Sequence, residues 1–372
     1  MADRSGPLAG LRVLEIAALG PAPFCGMLLA DLGADVVLAD RIEPNPQVTD
    51  LGRAAISNRG KRSIAVDLKS PQDVALVLQL AEQCDALIEG MRPGVMERLG
   101  LGPDICLARN PRLVYGRMTG WGQDGPLAHV AAHDLNYVAL SGALWYAGQA
   151  GEPPLTPPTL NGDAAGGLYL TIGVLAAVMS ARATGLGQVV DAAIVDGSAH
   201  MLNLLLGGRA LGQLVTERGG SILDGSHWSA TYRCADGQFI SVQSFEPKFY
   251  RLLLGKLGLG ADPAFANQFD RHTWPEAKRR FAEVFAQRTR DEWCAMLEGT
   301  EVCFAPVLDP EAAAKHPHMV ERGVYSSPDG VLQANPAPRF SGTPAASPGP
   351  VPERGADREW VLREWLGVEE NA

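Results

Sequence analysis

Apolar and polar positions follow one another along the first third of the chain in a repeating order. Leu11-Arg12-Val13-Leu14-Glu15-Ile16-Ala17 predicts a strand, and Pro21 to Leu32 a helix opened by proline and closed by Gly33. Asp35 to Ala39 predicts a second strand, so the chain opens on a β-α-β unit, which implies a parallel sheet with a right-handed crossover. The order then repeats: Ser63 to Leu68 alternates as a strand, Pro71 to Gln83 is an amphipathic helix, and Asp85 to Glu89 is a strand. Pro93 opens a short helix ending near Gly100, Pro103 opens another, and Arg112 to Met118 is again a strand. Strands alternating with helices predict a doubly wound α/β domain.

Beyond Asp163 lies the most apolar stretch, read as a long buried helix that stops at Gly185-Leu186-Gly187; a strand over Gln188 to Ala192 and a further helix to about Leu214 follow. Composition changes near Glu217. Gly219-Gly220-Ser221 and Asp224-Gly225-Ser226 read as a linker, and Thr231 to Ser244, turning at Ala235-Asp236-Gly237, as a β-hairpin. Helices over Pro247 to Gly255, Pro275 to Gln287 and Arg290 to Leu297, with a strand near Phe304 to Leu308, make a smaller α+β domain. Residues 326–354 are rich in Pro, Ser and Gly and read as an extended return. Asp357 to Leu366 spaces Trp360, Val361, Leu362, Trp365 and Leu366 as a final helix on the first domain. The predicted division is therefore residues 1–216 as the large domain, 217–325 as the small domain, and 326–372 as the return to the large one.

A length of 372 residues agrees with two domains, since a single core seldom grows past ~250 to 300 residues. With 46% hydrophobic and 20% charged residues the composition is that of a soluble globular protein. The net charge of -10 argues against non-specific binding to nucleic acid or to an anionic membrane surface. Cys25, Cys84, Cys106, Cys234, Cys294 and Cys303 show no Cys-x-x-Cys pair and no metal-like spacing with histidine, so they read as reduced thiols with no metal site. Ala164 to Ser180 falls just short of the ~18 residues that usually span a bilayer. The first residues lack the order of a signal peptide and the last three are not a peroxisomal tripeptide, so the expected location is cytoplasmic.

The candidate chemistry concentrates between Gly116 and Gly167, in Gly116-Arg117-Met118-Thr119-Gly120-Trp121-Gly122, then His133-Asp134, then Gly162-Asp163-Ala164-Ala165-Gly166-Gly167. Asp134 is placed to cap a helix over Leu135 to Leu144, which would project His133 from a helix start. Asp163 reads first as an N-cap, and a helix N-terminus also stabilises a developing anion, so it qualifies as cap and acid-base group together. Glu246, before Pro247, is an ordinary acidic residue of a first helical turn; as a functional group it would hydrogen-bond an imidazole and fix its tautomer. Arg41, Lys61, Arg62, Lys69, Arg92 and Arg98 lie at or just beyond predicted strand ends, where open α/β sheets bind ligands, and together would offset the negative charge for a polyphosphate. The turn Leu19-Gly20-Pro21-Ala22-Pro23 lacks Gly-x-Gly-x-x-Gly, which argues against a nicotinamide dinucleotide.

Over nearly its whole length the chain resembles the class III CoA-transferase superfamily, and within it the α-methylacyl-CoA racemases. The resemblance is carried by Leu8 to Arg41, Ser63 to Lys69, Ile88-Glu89-Gly90-Met91-Arg92-Pro93-Gly94-Val95, Arg98 to Gly102, Gly116 to Pro126, His133 to Tyr137, Gly162 to Gly167, Gly187 to Asp196 and Glu246-Pro247. It implies a Rossmann-like doubly wound large domain built from both chain ends, a small domain between, and an interlocked homodimer whose active sites each span two subunits. It implies an isomerase of lipid metabolism that inverts the α-carbon of a 2-methyl or other 2-substituted acyl-CoA by 1,1-proton transfer through an enolate. In that reading His133, supported by Glu246, serves one stereoisomer and Asp163 the other, with amides near Asp134 and Asp163 holding the thioester oxygen. Model aspartates titrate near ~3.9 and histidines near ~6.5, so Asp163 must be raised by burial to act as an acid. The resemblance also implies no separate cofactor, CoA being part of the substrate, and places it along Leu19, Arg41, Leu68, Lys69, Gly90, Met91, Arg92, Arg98 and Tyr137. CoA transfer between carboxylic acids with Asp163 as nucleophile, and non-catalytic acyl-CoA binding, are the alternatives. Two segments depart from the racemase pattern, Gly225-Ser226-His227-Trp228-Ser229 and Gln243-Ser244-Phe245. Both are expected to line the acyl pocket, where His227 and Trp228 would either read a polar or aromatic acyl chain or belong to a plain surface loop.

Overall fold

The protein, seen in a computed structural model that describes residues 5–44, 46 and 49–368, separates into two compact units. One comprises 1–141, 157–200 and 318–372, and the other 142–156 and 201–317. The chain therefore changes unit at 201 and 318, where the sequence placed the boundaries at 217 and 326, and it lends 142–156 to the second unit. The two chain ends on which the leader and peroxisomal readings rested fall outside the described residues.

The first unit is built on a six-stranded sheet. Its strands are β1 (Arg12–Ile16), β2 (Asp35–Arg41), β3 (Arg62–Val66), β4 (Ala86–Glu89), β5 (Val114–Thr119) and β6 (Gln188–Ala193), arranged β3-β2-β1-β4-β5-β6 with every neighbouring pair parallel. Helices α1 (Pro21–Asp31), α2 (Pro71–Glu82), α3 (Val95–Arg98), α4 (Pro103–Arg109), α5 (Asp134–Ser141) and α6 (Ala165–Thr184) alternate with them. Parallel strands need crossovers on both faces, which is why the central strands are apolar on both sides rather than alternating. One apolar cluster joins β1, β4 and β5 to α1 and α6 through Val13, Cys25, Leu29, Ile88, Leu170 and Val174. The other joins the opposite face to α2, α4 and the C-terminal turn through Leu14, Val77, Leu80, Cys106, Val361 and Trp365.

The long apolar helix α6 lies close on its neighbours because its glycines leave room. A Cβ on Gly167 would sit 2.8 Å from the Pro21 carbonyl oxygen, and one on Gly173 2.6 Å from Val190. By length and composition the segment Leu160–Thr184 would suffice to cross a membrane, but half of its most apolar window is buried against this unit. The chain end lies in this unit. The Asp357 carboxylate accepts from the Ser63 amide at 2.8 Å, Arg62 stacks 3.3 Å over the Trp360 ring, and Trp365 donates to Asp35 at 2.9 Å. A short hairpin, Tyr325–Ser326 with Gln333–Ala334, interrupts the Pro-rich return.

The second unit pairs β7 (Ser229–Arg233), β8 (Phe239–Gln243) and β9 (Phe304–Val307) as an antiparallel sheet, as the predicted hairpin required. Helices α9 (Pro247–Leu257), α10 (Trp274–Phe285) and α11 (Arg290–Leu297) close an aromatic core of Trp228, Phe265, Trp274, Phe281, Phe285 and Trp293. The single helix expected up to Leu214 is two, α7 (Ile194–Met201) and α8 (Asn203–Ala210). The expected linker is an ordered turn: the Asp224 carboxylate holds the amides of Gly219 and Ser221 at 2.8 Å each, and Ser221 and Ser226 are buried.

Candidate active site

The strand order reverses between β1 and β4, and open α/β sheets bind ligands outside the carboxyl ends of their strands at such a point. Leu19-Gly20 follows β1 there and Gly90-Met91-Arg92 follows β4. Only glycine fits at position 90, because a Cβ would lie 2.9 Å from that of Ala18. Beside it opens a cleft of about 140 Å³ lined by Gly90, Met91, Arg92, Thr119, Trp121, Ala132 and Tyr137 among others. The Tyr137 ring meets Trp121 edge-on at 4.6 Å and its hydroxyl donates to the Ala132 carbonyl at 2.6 Å. It lies over bare backbone at Gly120, where a Cβ would come within 1.9 Å of the ring.

Of the remaining residues expected to hold CoA, Arg41, Leu68 and Lys69 end or follow β2 and β3 on the same edge, and Arg98 closes α3. Leu19, Arg41, Lys69, Arg92 and Arg98 are exposed. Lys61 and Arg62 contradict the expectation, since they stand at the amino end of β3, on the far edge of the sheet. Arg62 is committed to Trp360 and Asp35. Lys61 is sealed against Glu15 at 2.6 Å with both side chains fully buried, and burial pushes the Glu15 carboxyl up to about 7 and the Lys61 amine down.

His133 immediately precedes α5 and closes its first turn by backbone: its carbonyl accepts from the Asn136 amide at 2.8 Å and its amide donates to the Asn136 side chain at 3.1 Å. Its imidazole is exposed. Asp134 is therefore not the cap of its own helix, as the sequence suggested. It reaches across instead, accepting from the Asp163 amide at 2.8 Å and from the Thr159 amide at 3.2 Å. Gly162 makes this possible, because a Cβ there would stand 2.1 Å from the Asp134 oxygen. Leu160–Ala164 forms a π-helical turn entered through Thr159 at φ 61° and continuous with α6. Such turns insert an extra residue into a helix and often occur at functional sites. Asp163 lies inside that turn rather than at the helix cap, and its own amide is already engaged, which removes it from the donors expected for a thioester oxygen.

The electrostatics follow from this packing. Burial pushes the Asp163 carboxyl above the usual aspartate range, the Asp134 charge pushes it further, and His133 pulls it back. Burial and the Asp163 charge likewise raise the Tyr137 phenol, while Arg92 lowers it. A Cβ on Gly20, where φ is +73°, would lie 3.4 Å from the Asp163 carboxylate, so the loop after β1 presses on the same group. The first unit thus brings His133, Asp134, Asp163 and Tyr137 into one electrostatic neighbourhood, with Tyr137 shared by the cleft holding Gly90, Met91 and Arg92. Thr119 and Trp121, inside the Gly116-to-Gly122 run, complete that cleft together with Ala128, Val130, Ala131 and Ala132, which nothing in the sequence singled out.

In the second unit Glu246 occupies the N-cap of α9 with extended backbone and no side-chain cap bond. The expectation for His227 and Trp228 is overturned, since they are 1% and 0% exposed, inside that unit's aromatic core. The Trp228 indole donates to the Gln268 carbonyl at 3.0 Å, and the His227 ring bonds the Tyr250 hydroxyl at 2.7 Å. They are core residues, not pocket residues. Ser244 is buried too, donating to the Val302 carbonyl at 2.7 Å, whereas Phe245 is exposed.

The profile of CoA-transferase family III matches residues 8–358. The chain is 43% identical to an alpha-methylacyl-CoA racemase of Homo sapiens over 91% of its own length and 87% of that protein's. It is 30% identical to a succinyl-CoA--D-citramalate CoA-transferase of Chloroflexus aurantiacus over 98% and 95% of the two chains. In three dimensions it is similar to the crystal structure of a CAIB/BAIF family protein from Brucella suis, with a TM-score of 0.83, 26% identity, and coverage of 97% of this chain and all of that one.

Proposed function

The chain belongs to CoA-transferase family III, and from that premise we propose that it is an isomerase of the α-methylacyl-CoA racemase kind, inverting the α-carbon of a 2-methyl or other 2-substituted acyl-CoA thioester. The observation that carries this reading is the pairing of His133 and Asp163 at two neighbouring helix starts, with Asp163 raised by burial and by Asp134. A thioester acidifies its α-proton. For one enantiomer the Asp163 carboxylate removes that proton, and the enolate is protonated on its opposite face by the His133 imidazolium; for the other enantiomer the roles exchange. A carboxyl raised above the usual aspartate range suits both halves, because it must accept a proton in one direction and return it in the other. The developing oxyanion has the amides of Asp134 and Leu135 as donors, ahead of the Asn136 amide that already bonds the His133 carbonyl.

The CoA moiety is assigned to the carboxyl edge of the sheet, along Leu19, Arg41, Leu68, Lys69, Gly90 to Arg92, Arg98 and Tyr137, where arginines meet phosphates or adenine. No separate cofactor enters the reaction. Glu246, as the partner of His133, enters this reading from the resemblance alone. So do the interlocked homodimer, a cytoplasmic location and a place in lipid metabolism. A homodimer is supported by the apolar side chains α6 leaves outside its own unit, Ile172 at 61% and Met179 at 73% exposure; a monomeric mass in light scattering would remove this part of the reading.

The deciding experiment follows α-deuteration of both enantiomers of several 2-methyl- and 2-arylacyl-CoA esters in D2O. Wild-type protein is expected to exchange both, and His133→Ala to lose exchange for at least one. Unchanged exchange of both by the variant sinks the assignment of His133. Acceptor-dependent movement of CoA without deuteration would instead establish Asp163 as a transferase nucleophile, and binding alone a non-catalytic relative.

A further inference from the structure

The segment between Glu89 and Arg98 carries two of the arginines assigned above to CoA, and both of its ends are tied to one side chain outside it. Glu89, at the last position of β4, is fully buried. One of its oxygens accepts from the Met91 amide at 2.6 Å and the other from Arg117 Nε at 3.1 Å. Arg117 faces Glu89 in register across β4 and β5 and is itself 7% exposed. Its far edge grips Glu97 of α3, with Nη1 2.8 Å from one oxygen and Nη2 donating to the other at 3.3 Å. The Glu97 stem is held in turn against Gly102, where a Cβ would come within 2.9 Å of it. Arg98 folds back over Gly94, whose φ is +79° and whose Cβ position is 3.3 Å from the guanidinium.

A buried guanidinium with two carboxylates is a costly construction, and nothing in the proton-transfer steps uses it. Burial pushes the Glu89 carboxyl up to about 7 even with the Met91 amide and Arg117 opposing it. Two donors nevertheless converge on its two oxygens, as the ionised form requires. The arrangement leaves one net negative charge beneath a loop meant to receive an anion. By charge alone it would weaken ligand binding, so its use must be geometric.

We propose that Arg117, clamped between Glu89 and Glu97, is a positioning residue that fixes the Gly90-to-Arg98 segment in the shape that binds the CoA phosphates or adenine. Glu89 anchors the start of the segment through the Met91 amide, Glu97 anchors its end, and Arg117 sets the distance between them. None of the three touches the reacting carbon. The inference rests on the assignment of this edge to CoA, and the test separates the two.

Wild-type protein is first titrated with free CoA by calorimetry; failure to bind would remove the CoA assignment itself. The working variants are Glu97→Ala and Glu97→Gln, chosen because the Glu97 side chain is 44% exposed and its loss leaves the Arg117–Glu89 pair intact. Glu97→Ala is expected to weaken CoA binding and raise KM for the acyl-CoA by about fivefold with kcat unchanged, as loss of a half-exposed ion pair implies. Glu97→Gln, which keeps an acceptor for Arg117, is expected to recover part of that loss. Both variants remove the same charge, so equal tightening of CoA binding in the two would mean that only the charge matters and would overturn the proposal. Normal CoA affinity with only a lower melting temperature would overturn it as well.

Discussion

Removing the Asp134 carboxylate tests how far the site depends on the turn that carries Asp163. That carboxylate holds two amides, the Asp163 bond being 2.8 Å and half-buried and the Thr159 bond 3.2 Å and exposed. A charge-assisted bond of the first kind is worth roughly 1.5–3 kcal/mol and the second adds about 0.5–1 kcal/mol. Asp134→Ala therefore withdraws about 2–4 kcal/mol from the π-turn, partly offset by water and by the Ala164 amide that still bonds the Thr159 carbonyl at 2.8 Å. With each 1.4 kcal/mol worth a factor of ten, α-proton exchange should fall roughly ten- to a hundredfold for both enantiomers. Asp134→Asn isolates the other effect. It keeps an oxygen for the Asp163 amide but removes the charge that helps raise the Asp163 carboxyl. In the direction where Asp163 is the base, its carboxyl must be ionised, so the acid limb of the pH–rate profile should move to lower pH. The assay is the initial rate of deuterium incorporation into each enantiomer, by mass spectrometry, across that limb. Wild-type rates in Asp134→Ala, or a limb that moves to higher pH in Asp134→Asn, would refute the argument.

Two further predictions concern buried charge. His227 is pushed down to about 4 by burial, with the Lys278 charge adding to it, from 6.5. Between those values the unfolded chain binds more protons than the folded one, so stability is lost as pH falls from 6.5 toward 4, by about 3 kcal/mol in all. His227→Phe should flatten this limb of the urea midpoint against pH, and a limb parallel to wild type would show that another group is responsible. Lys61→Met leaves Glu15 buried without its partner and should cost about 3–5 kcal/mol in urea unfolding. Adding Glu15→Gln should restore much of that loss; an unchanged single variant, or a double variant as unstable as the single, would contradict the buried pair.

Strand and helix positions in the first unit were legible because local rules decide them. Prolines open α1, α2 and α4, Gly185 caps α6 with a positive φ, and doubly covered strands are apolar throughout. The family was legible for a related reason, since its motifs are short runs of glycine and charge that survive as sequence. What the sequence left open depends on which surfaces meet. His227 and Trp228 stand in a segment of turn-like composition, and only the packing of α9, α10 and the β7–β8 hairpin shows them as core. Asp134 and Asp163 each resemble a helix cap, because an Asp before helix-forming residues normally is one. It takes the approach of α5 to the turn before α6 to make one the holder of the other's backbone. Lys61 and Arg62 looked like ligand cations for the same reason: charge can be read along a chain, but the edge of the sheet on which it falls cannot. The sequence by itself determined the strands and helices of the first unit's sheet, the alternation that makes that sheet parallel, and the residue types of the site. Only the tertiary structure decided which carboxylate is buried, which amides are already bonded, and which charges face the cleft, because desolvation and hydrogen-bond pairing are properties of neighbours in space.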